Sequence, residues 1–239
     1  MRGDAAKALR QRYPGDRYAA FHAPRYLELM GLLDAYVQPG MIVLDIGRSR
    51  LTELIHERYD VRVDGLGFLA DEPSPQGRNW WFDLNRAADR SQWRSGLPMY
   101  DVIVMAEVIE HLYTAPKLVL SFLRSLLTDR GVLIIQTPNA AALHKRAELL
   151  LGRNPYELIR ETMNDPGHFR EYTKKELIQI VEEAGLTVDR WFAGDYFDYR
   201  FVQGSGERLA RLGRPLNLIY RCAPPSLKPG QTLVVRRES

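Results

Sequence analysis

Short apolar runs, each followed by a helical pattern, are the feature that most restricts what this chain can fold into. YDVIVMA (100–106) is almost wholly apolar, and MIVLDIG (41–47) and GVLIIQTPN (131–139) have the same β-branched character. Runs without polar alternation are typical of parallel strands that are buried on both faces. Their alternation with helical patterns predicts an α/β fold with a three-layer, doubly wound, mostly parallel sheet.

Turn signals and helical spacing predict the remaining elements. Four further strands are predicted, at 61–68, 79–84, 186–194 and 231–237. Helices are predicted over 18–36, 51–59, 114–127 and 140–151, and after the capping box that begins at Thr173. Prolines and a glycine predict a loop over 72–79, and Asp129-Arg130-Gly131 predicts a break before the fifth strand.

This order of elements predicts four parts. They are an N-terminal helical cap (1–36), the α/β core (37–194), an insertion (195–230) and the final strand of the core (231–239). The aromatic side chains of the insertion are Tyr196, Phe197, Tyr199 and Phe201. They fit a pocket for an acceptor molecule, a contact in a homodimer, or an ordinary surface loop, and the sequence leaves the three interpretations open.

Composition limits the setting in which the protein works. The single cysteine, Cys222, cannot form an internal disulfide, which favours a reducing, cytoplasmic location. The opening residues carry charges throughout and lack the apolar region of a signal peptide, and no apolar run approaches the roughly 18 residues of a membrane span. A net charge of +3 without a polybasic block disfavours nucleic acid as a partner.

The predicted strand ends define where a site should lie. In a doubly wound sheet, ligands bind at the carboxyl ends of the strands. No G-x-G-x-x-G follows the first strand, as a dinucleotide-dependent dehydrogenase requires, and no P-loop or G-x-S-x-G nucleophile elbow occurs. The sequence therefore argues against dehydrogenases, P-loop proteins and α/β-hydrolases.

Four polar residues on two distant segments form the candidate catalytic set. Glu107, Glu110 and His111 follow the central strand at i, i+3 and i+4, and this spacing predicts that they point the same way from one helical turn. His168 lies in DPGHFREYT, ahead of the capping box. Two carboxylates beside an imidazole suit a divalent cation, and the alternative is a set of solvated charges with a packing histidine.

Taken together, these motifs resemble those of the class I S-adenosylmethionine-dependent methyltransferases. The resemblance runs from about Val37 to Ala193, with the final strand, and is carried by VLDIG, FDL, YDVIVMAEVIEHL, GVLIIQTPN and HFREYTKKELIQIVEEAGL. It implies a seven-stranded sheet whose last strand is antiparallel and inserted beside the sixth. It also implies that the protein uses S-adenosyl-L-methionine as cofactor.

The same resemblance implies which residues would hold that cofactor. An acid near the first turn meets the methionine ammonium, an acid after the second strand the ribose, and an acid after the third strand the adenine. The cofactor-binding residues would be Asp45, Gly47, Gly67, Phe68, Asp83, Leu84 and Ala106. Trp80 and Trp81 fit either the adenine pocket or simple packing. His22, Arg25 and Tyr26 fit either a lid over the cofactor or an amphipathic structural helix.

The chain departs from the family pattern on the cofactor side. The turn D-x-G-x-G-x-G is reduced to Asp45-Ile46-Gly47-Arg48-Ser49-Arg50-Leu51, and Gly67 occupies the place of the ribose acid. Asp64 precedes that place by three residues and is not a certain substitute. One missing acid costs about 1–3 kcal/mol of binding free energy, which weakens binding without abolishing it.

The E-x-x-E-H triplet is similar to the metal site of small-RNA 3′-terminal 2′-O-methyltransferases and, in part, to ubiquinone-pathway O-methyltransferases. It implies Mg²⁺ or another divalent cation, held by Glu107, Glu110, His111 and His168. Without a metal, His111 or His168 would act as the general base.

Because EVIEHL also occurs in methyltransferases for sugars and small molecules, the expected function is O-methylation of a hydroxylated small molecule or sugar. The eroded turn favours a first alternative, an inactive methyltransferase-like binding or regulatory protein. The histidine motif and the mild basicity favour a second, an RNA 2′-O-methyltransferase.

Overall fold

A computed structural model of the protein describes residues 7, 9–162, 167–202, 211 and 213–238. Parts of four predicted segments lie outside the described residues. They are 1–6 and 8 of the N-terminal cap, Asp165 and Pro166 of DPGHFREYT, 203–210 and 212 of the insertion, and Ser239 of the final strand.

The described residues form α-helices and strands in alternation. The strands are β1 (Ile42–Ile46), β2 (Arg62–Gly67), β3 (Glu72–Ser74), β4 (Gly77–Trp81), β5 (Tyr100–Ala106), β6 (Leu127–Pro138), β7 (Leu186–Gly194) and β8 (Gly230–Arg237). The α-helices are α1 (Arg17–Leu33), α2 (Arg50–Tyr59), α3 (Pro116–Ser125), α4 (Leu143–Leu150), α5 (Lys174–Glu183) and α6 (Gly213–Cys222).

The strands join in one sheet with the order β3-β4-β2-β1-β5-β6-β8-β7. β1 pairs in parallel with β2 and β5, and β5 pairs in parallel with β6. The last strands run antiparallel, with β8 between β6 and β7. The predicted α/β fold is confirmed, with eight strands among the described residues where seven were expected.

The eighth strand comes from a hairpin that the sequence analysis misassigned. The predicted loop at 72–79 is wrong, because β3 and β4 pair there as antiparallel strands. Two features make this possible. Pro73 lies on a short edge strand, where proline is tolerated, and Pro75 lies in the connection between β3 and β4. Gly77 lies so close to β2 that a Cβ atom would come within 2.6 Å of the carbonyl oxygen of Val63.

β6 also begins earlier than predicted. Asp129-Arg130-Gly131 does not precede the strand but lies inside it, since β6 extends from Leu127. The pairing of β5 with β6 shifts register between Tyr100 and Val102, which absorbs the extra residues as an irregularity. The turn signal therefore marked a bulge and not a boundary.

Local capping signals are confirmed where the sequence predicted them. The Thr173 side chain accepts a hydrogen bond from the Glu176 backbone, and the Glu176 carboxylate accepts one from the Thr173 backbone, so the capping box of α5 is complete. Ser49, which was not predicted to be a cap, also caps α2, and it does so by accepting from the Leu51 N–H alone. Both caps satisfy amide groups that a helix start leaves without partners.

By internal packing the chain divides into two compact units. Unit 1 contains Met1–Ala35, Asn139–Glu157 and Ala193–Gln231, and unit 2 contains Tyr36–Pro138, Leu158–Phe192 and Thr232–Ser239. In unit 1, the aromatic side chains Tyr196, Phe197, Tyr199 and Tyr220 form a buried cluster. In unit 2, the core lies around the central strands. Within the described residues, no helix has the length and apolar character needed to span a membrane.

Candidate active site

The carboxyl ends of the central strands of unit 2 lie side by side. Ile46 at the end of β1 pairs with Leu66 of β2 and with Met105 of β5, and Ala106 pairs with Gln136 of β6. The residues that follow these strands therefore share one edge, where ligands bind in this class of sheet. The edge has a first half at β1, β2 and β4 and a second half at β5 and β6.

The first half is built on a close approach of two glycines. Gly47 has a φ of +84°, and its N–H donates to the carbonyl of Leu66 at 2.8 Å. A Cβ atom on Gly67 would lie 3.5 Å from the Gly47 Cα atom, so the two turns run almost in contact. This is backbone that a ligand can approach closely, as the retained glycine of the motif predicts.

The Asp45 side chain stabilises the turn between β1 and α2. It is buried, and its Oδ2 atom accepts from the Thr52 hydroxyl at 2.6 Å and from the Ser49 N–H at 3.3 Å. Both partners belong to the start of α2. The carboxylate thus stabilises the turn itself, whatever it contributes to a ligand.

Arg48 lies across this half of the edge in a left-handed conformation, with a φ of +31°. Its guanidinium donates to the Asn79 side-chain oxygen at 3.0 Å and to the Gln76 side-chain oxygen at 3.3 Å. Both acceptors are neutral amides on or next to β4, so these contacts place the positive charge of Arg48 beside the β2–β4 pair without neutralising it. The family's carboxylate for the ribose has no counterpart at the end of β2, where Gly67 stands.

Asp64 does not replace that missing acid. It is fully buried inside β2, where it accepts hydrogen bonds from Arg62 and from the backbone N–H of Arg78, as well as from Trp80 and Tyr100. Burial raises the pKa of Tyr100, and the charge of Asp64 raises it further. Trp80 therefore packs against an internal polar cluster.

Two other residues implied for the cofactor lie at turns. Asp83 caps a 3₁₀ turn at Leu84–Ala88 by accepting from the Asn85 backbone and side-chain N–H groups, each at 3.0 Å. Phe68, directly after β2, is 76% exposed, so its ring face is open to stacking. Leu84 is buried and Ala106 ends β5.

The second half of the edge begins with a correction. Glu107 has a φ of +57° and lies in a bend, and the following helical residues form only a short 3₁₀ turn, Ile109–His111. The predicted single helical turn through Glu107, Glu110 and His111 is therefore wrong. The Glu107 N–H still donates to the Gln136 carbonyl of β6 at 2.8 Å. The left-handed conformation of Glu107 then turns the chain away from the direction of the strand.

Three of the four predicted metal ligands nevertheless come together. The backbone N–H groups of Phe169 and Arg170 donate to the carbonyl of Glu110 at 2.8 and 3.2 Å, which docks the His168 loop against the 3₁₀ turn. The ring centroids of His111 and His168 are 4.8 Å apart, at an angle of 85°. Glu110, His111 and His168 offer ligand atoms that all lie within 4.8 Å of one another, and Glu107 is not in this group.

The outer atoms of these three side chains are all held. His111 Nδ1 lies 2.8 Å from the Gly167 carbonyl oxygen, and His168 Nδ1 lies 3.1 Å from a Glu171 carboxylate oxygen. Because a carbonyl or carboxylate oxygen only accepts, Nδ1 carries the proton in each ring, and a neutral ring presents its lone pair at Nε2. The buried Glu110 accepts from the Thr137 hydroxyl at 2.8 Å.

Unit 1 holds the other residues that the sequence singled out. His22 is buried among Tyr18, Phe21 and Phe197, and burial lowers its pKa well below the ordinary value, with a further contribution from Arg25. This unit also contains a cavity of about 640 Å³, whose wall includes Phe197.

A contact in unit 1 between a partly buried histidine and a buried tyrosine was not predicted from the sequence. His144 Nδ1 and the Tyr220 hydroxyl are hydrogen-bonded, and the same hydroxyl accepts from the His144 backbone N–H at 3.1 Å. Burial lowers the pKa of His144 to about 4, assisted by the charge of Lys145, and burial raises the pKa of Tyr220 to about 12. The two residues are 76 positions apart, so no local signal joins them.

Thr137 and Glu171 were also missed as functional residues, although each left a signal. Thr137 lies near the end of the predicted strand 131–139, at the expected edge, and Glu171 follows His168 by three positions in the same motif. A search for hydrogen-bond partners at the spacing of one turn would have found Glu171.

Comparison with known proteins agrees with this geometry. A protein-family model described as "Methyltransferase domain" matches residues 22–190. A SAM-dependent methyltransferase from Archaeoglobus fulgidus is 15% identical, with coverage of 97% of this chain and 99% of that chain and a TM-score of 0.57. A geranyl diphosphate methyltransferase solved in complex with SAM is 13% identical, with coverage of 94% and 92% and a TM-score of 0.58.

A third similar structure is a cyclopropane synthase from Mycobacterium tuberculosis. It is 17% identical, with coverage of 86% of this chain and 83% of that chain and a TM-score of 0.53. No curated protein sequence is significantly similar to the chain. At these identities the likeness to solved structures shows the fold, and the family model shows the family.

Proposed function

The chain belongs to the methyltransferase-domain family of class I S-adenosylmethionine-dependent enzymes, and we propose that it methylates a hydroxyl group of a small molecule or sugar with the help of a bound divalent cation. The observation that carries the proposal is the convergence of Glu110, His111 and His168 at the carboxyl edge of the sheet.

The chemistry of this donor set fits a cation. Two imidazoles and a buried carboxylate with ligand atoms within 4.8 Å of one another form a set of electron-pair donors that a positive charge between them would stabilise. Two nitrogen donors with one oxygen donor favour a transition-metal ion such as Mn²⁺, Fe²⁺ or Zn²⁺ over Mg²⁺, which prefers oxygen ligands. Such an ion would polarise an acceptor hydroxyl and lower its pKa.

The first half of the edge fits S-adenosylmethionine in its backbone. The contact of Gly47 with Gly67 leaves the cradle that a Cβ atom would fill, and the exposed Phe68 ring can stack on a base. Asp83 would face the adenine. The fit is incomplete at the ribose, where Gly67 stands in place of an acid. The cofactor would supply the methyl group, and we expect its affinity to be modest.

The remaining chemistry falls to the chain's own residues. Glu110, His111 and His168 would orient the acceptor oxygen through the cation that they hold. The two Nε2 lone pairs can also take the hydroxyl proton directly, as general bases. The metal-assisted and metal-free routes therefore use the same residues, and they differ in their response to a chelator.

A transfer assay tests the proposal. The purified protein is incubated with S-adenosylmethionine carrying a labelled methyl group and with a panel of catechols, vicinal diols and sugars, with added Mn²⁺ or with a chelator. We expect labelled product that depends on the metal. Equal transfer in chelator would contradict metal assistance and leave the histidines as bases. No saturable binding of S-adenosylhomocysteine at millimolar concentration would contradict the enzymatic function.

A further inference from the structure

Behind the candidate ligand His168 lies a carboxylate that no part of the proposed chemistry yet uses. We propose that Glu171 is a positioning residue that holds the His168 imidazole with its proton on Nδ1 and its Nε2 lone pair directed toward the ion. The inference rests on the proposed function for the identity of the ion, whereas the orientation and tautomer of the ring are properties of the chain alone.

The geometry of the pair supports this role. His168 Nδ1 and Glu171 Oε1 are 3.1 Å apart, and the Glu171 side chain is 7% exposed against 30% for His168. The acid therefore lies on the inner side of the ring. A carboxylate that has lost most of its water needs hydrogen-bond donors, and the Nδ1–H group supplies one. An ordinary surface ion pair would leave both side chains in solvent.

The backbone fixes the position of Glu171 from both sides. On one side, the N–H groups of Phe169 and Arg170 donate to the carbonyl of Glu110. On the other side, Thr173 begins the capping box that starts α5. Glu171 lies between these two anchors, so its carboxylate meets the ring without having to organise the loop itself.

His111 shows the same arrangement with a different acceptor. Its Nδ1 atom faces the backbone carbonyl of Gly167 at 2.8 Å. Both rings thus have the same tautomer, but only His168 has a charged partner, which increases the electron-donating strength of the opposite nitrogen. Of the two acceptors, the Glu171 carboxylate and the Gly167 carbonyl, only the carboxylate can be removed by a side-chain substitution.

The test compares Glu171→Gln and Glu171→Ala with Glu182→Gln, a control on the exposed face of the neighbouring helix. Nitrogen NMR of the metal-free protein, at one alkaline pH where the rings are neutral, reports which nitrogen of His168 carries the proton. Calorimetric titration with Mn²⁺ then gives the affinity for the ion.

We expect Nδ1–H in the wild type and a shift toward Nε2–H in Glu171→Ala. We also expect a Mn²⁺ affinity about 10–100-fold weaker in that variant, the loss typical of such outer partners. Glu171→Gln keeps an oxygen that can accept and should fall between the two, while the control should match the wild type. If Glu171→Ala fails to fold, Glu171→Gln decides.

The outcomes separate this inference from the function on which it rests. A wild-type protein with the expected tautomer but no Mn²⁺ binding would contradict the metal-assisted function and leave the positioning role intact. Normal Mn²⁺ binding with unchanged tautomer and affinity in both Glu171 variants would overturn the positioning role and leave the metal site standing.

Discussion

The two halves of the sheet edge use the same kind of scaffold and treat their polar side chains in opposite ways. At β1 and β2, the side chains bond to each other: Asp45 accepts from Thr52, and Arg48 donates to Asn79. At β5 and β6, Glu110 and two histidines are held by hydrogen bonds to neighbouring groups, and the three side chains bring potential ligand atoms within 4.8 Å of one another.

This difference teaches where the free energy of ligand binding should come from. A convergent set whose geometry is already fixed binds an ion without a large cost of reorganisation. A self-bonded set has to exchange existing hydrogen bonds for new ones, which leaves little net gain. We therefore expect the second half of the edge to bind its ligand strongly and the first half to bind its cofactor weakly.

The largest expected effect comes from Glu110→Gln. The amide keeps the volume of the side chain and can still accept from Thr137, but it removes the one buried anion of the donor set. Calorimetric titration should show Mn²⁺ affinity reduced on the order of 100-fold or more, since a ligand matters at least as much as the partners behind it.

The matched control is Glu107→Gln. Because Glu107 lies outside the converging group, its variant should bind Mn²⁺ within a factor of about 3 of the wild type. An equal loss of Mn²⁺ affinity in the two variants would indicate that Glu107 is also a ligand and would contradict the assignment of three ligands.

A fall in pH should destabilise the fold through His144. Its pKa is lowered from 6.5 to about 4 by burial, with Lys145 contributing. Between these values the unfolded chain binds a proton that the folded chain does not. The stability that depends on neutral His144 is therefore fully present above about pH 6.5 and is lost as the pH falls toward about 4.

The expected loss is on the order of 3 kcal/mol in the free energy of unfolding, from a shift of about 2.5 units. Urea denaturation across this range measures it. His144→Gln, which keeps an acceptor for Tyr220, should reduce the pH dependence. The part that remains should include a contribution from His22, whose pKa is also lowered. An unchanged pH dependence in this variant would contradict the neutral state of His144.

Gly67→Asp tests whether the first half of the edge is weak because it lacks an acid. A Cβ atom there has room, since the nearest contact is 3.5 Å from Gly47, but the Gly67 φ of +158° is one that residues with a side chain rarely adopt, so the variant carries some backbone strain. Titration with S-adenosylhomocysteine should show binding about 10-fold tighter, from new hydrogen bonds to the ribose. Gly67→Asn supplies the size without the charge, and equal binding by the two variants would rule out the charge as the cause.

Thr173→Ala should have the smallest effect. It removes the side chain that caps α5 directly after the His168 loop. We expect the free energy of unfolding to fall by about 1 kcal/mol in chemical denaturation. Thr187→Ala, at an exposed position of β7, should stay within about 0.5 kcal/mol of the wild type. A larger loss in the control than in Thr173→Ala would show that the capping box does not anchor the loop.

The parts of the molecule that the sequence predicted well depend on neighbours in the chain. The bounds of β5 and the capping box at Thr173 follow from local apolar patterns and a four-residue motif. The hairpin of β3 and β4 could not be predicted, because Pro73 is tolerated only through the edge position of β3 in the sheet.

The site shows the same division. The residue types predicted a cation site, and three of the four expected ligands come together. The position of Glu107 depends on one left-handed backbone dihedral, and helical spacing gives no sign of it. The pairing of His144 with Tyr220 is a contact between distant segments, which only the folded chain creates.

The central claim is that Glu110, His111 and His168 hold a divalent cation beside the methyl-transfer edge. Anomalous X-ray scattering from crystals of the protein soaked in Mn²⁺ tests it most directly. The account predicts one strong anomalous peak within coordination distance of all three side chains. Crystals that diffract well and show no peak at this position would contradict it.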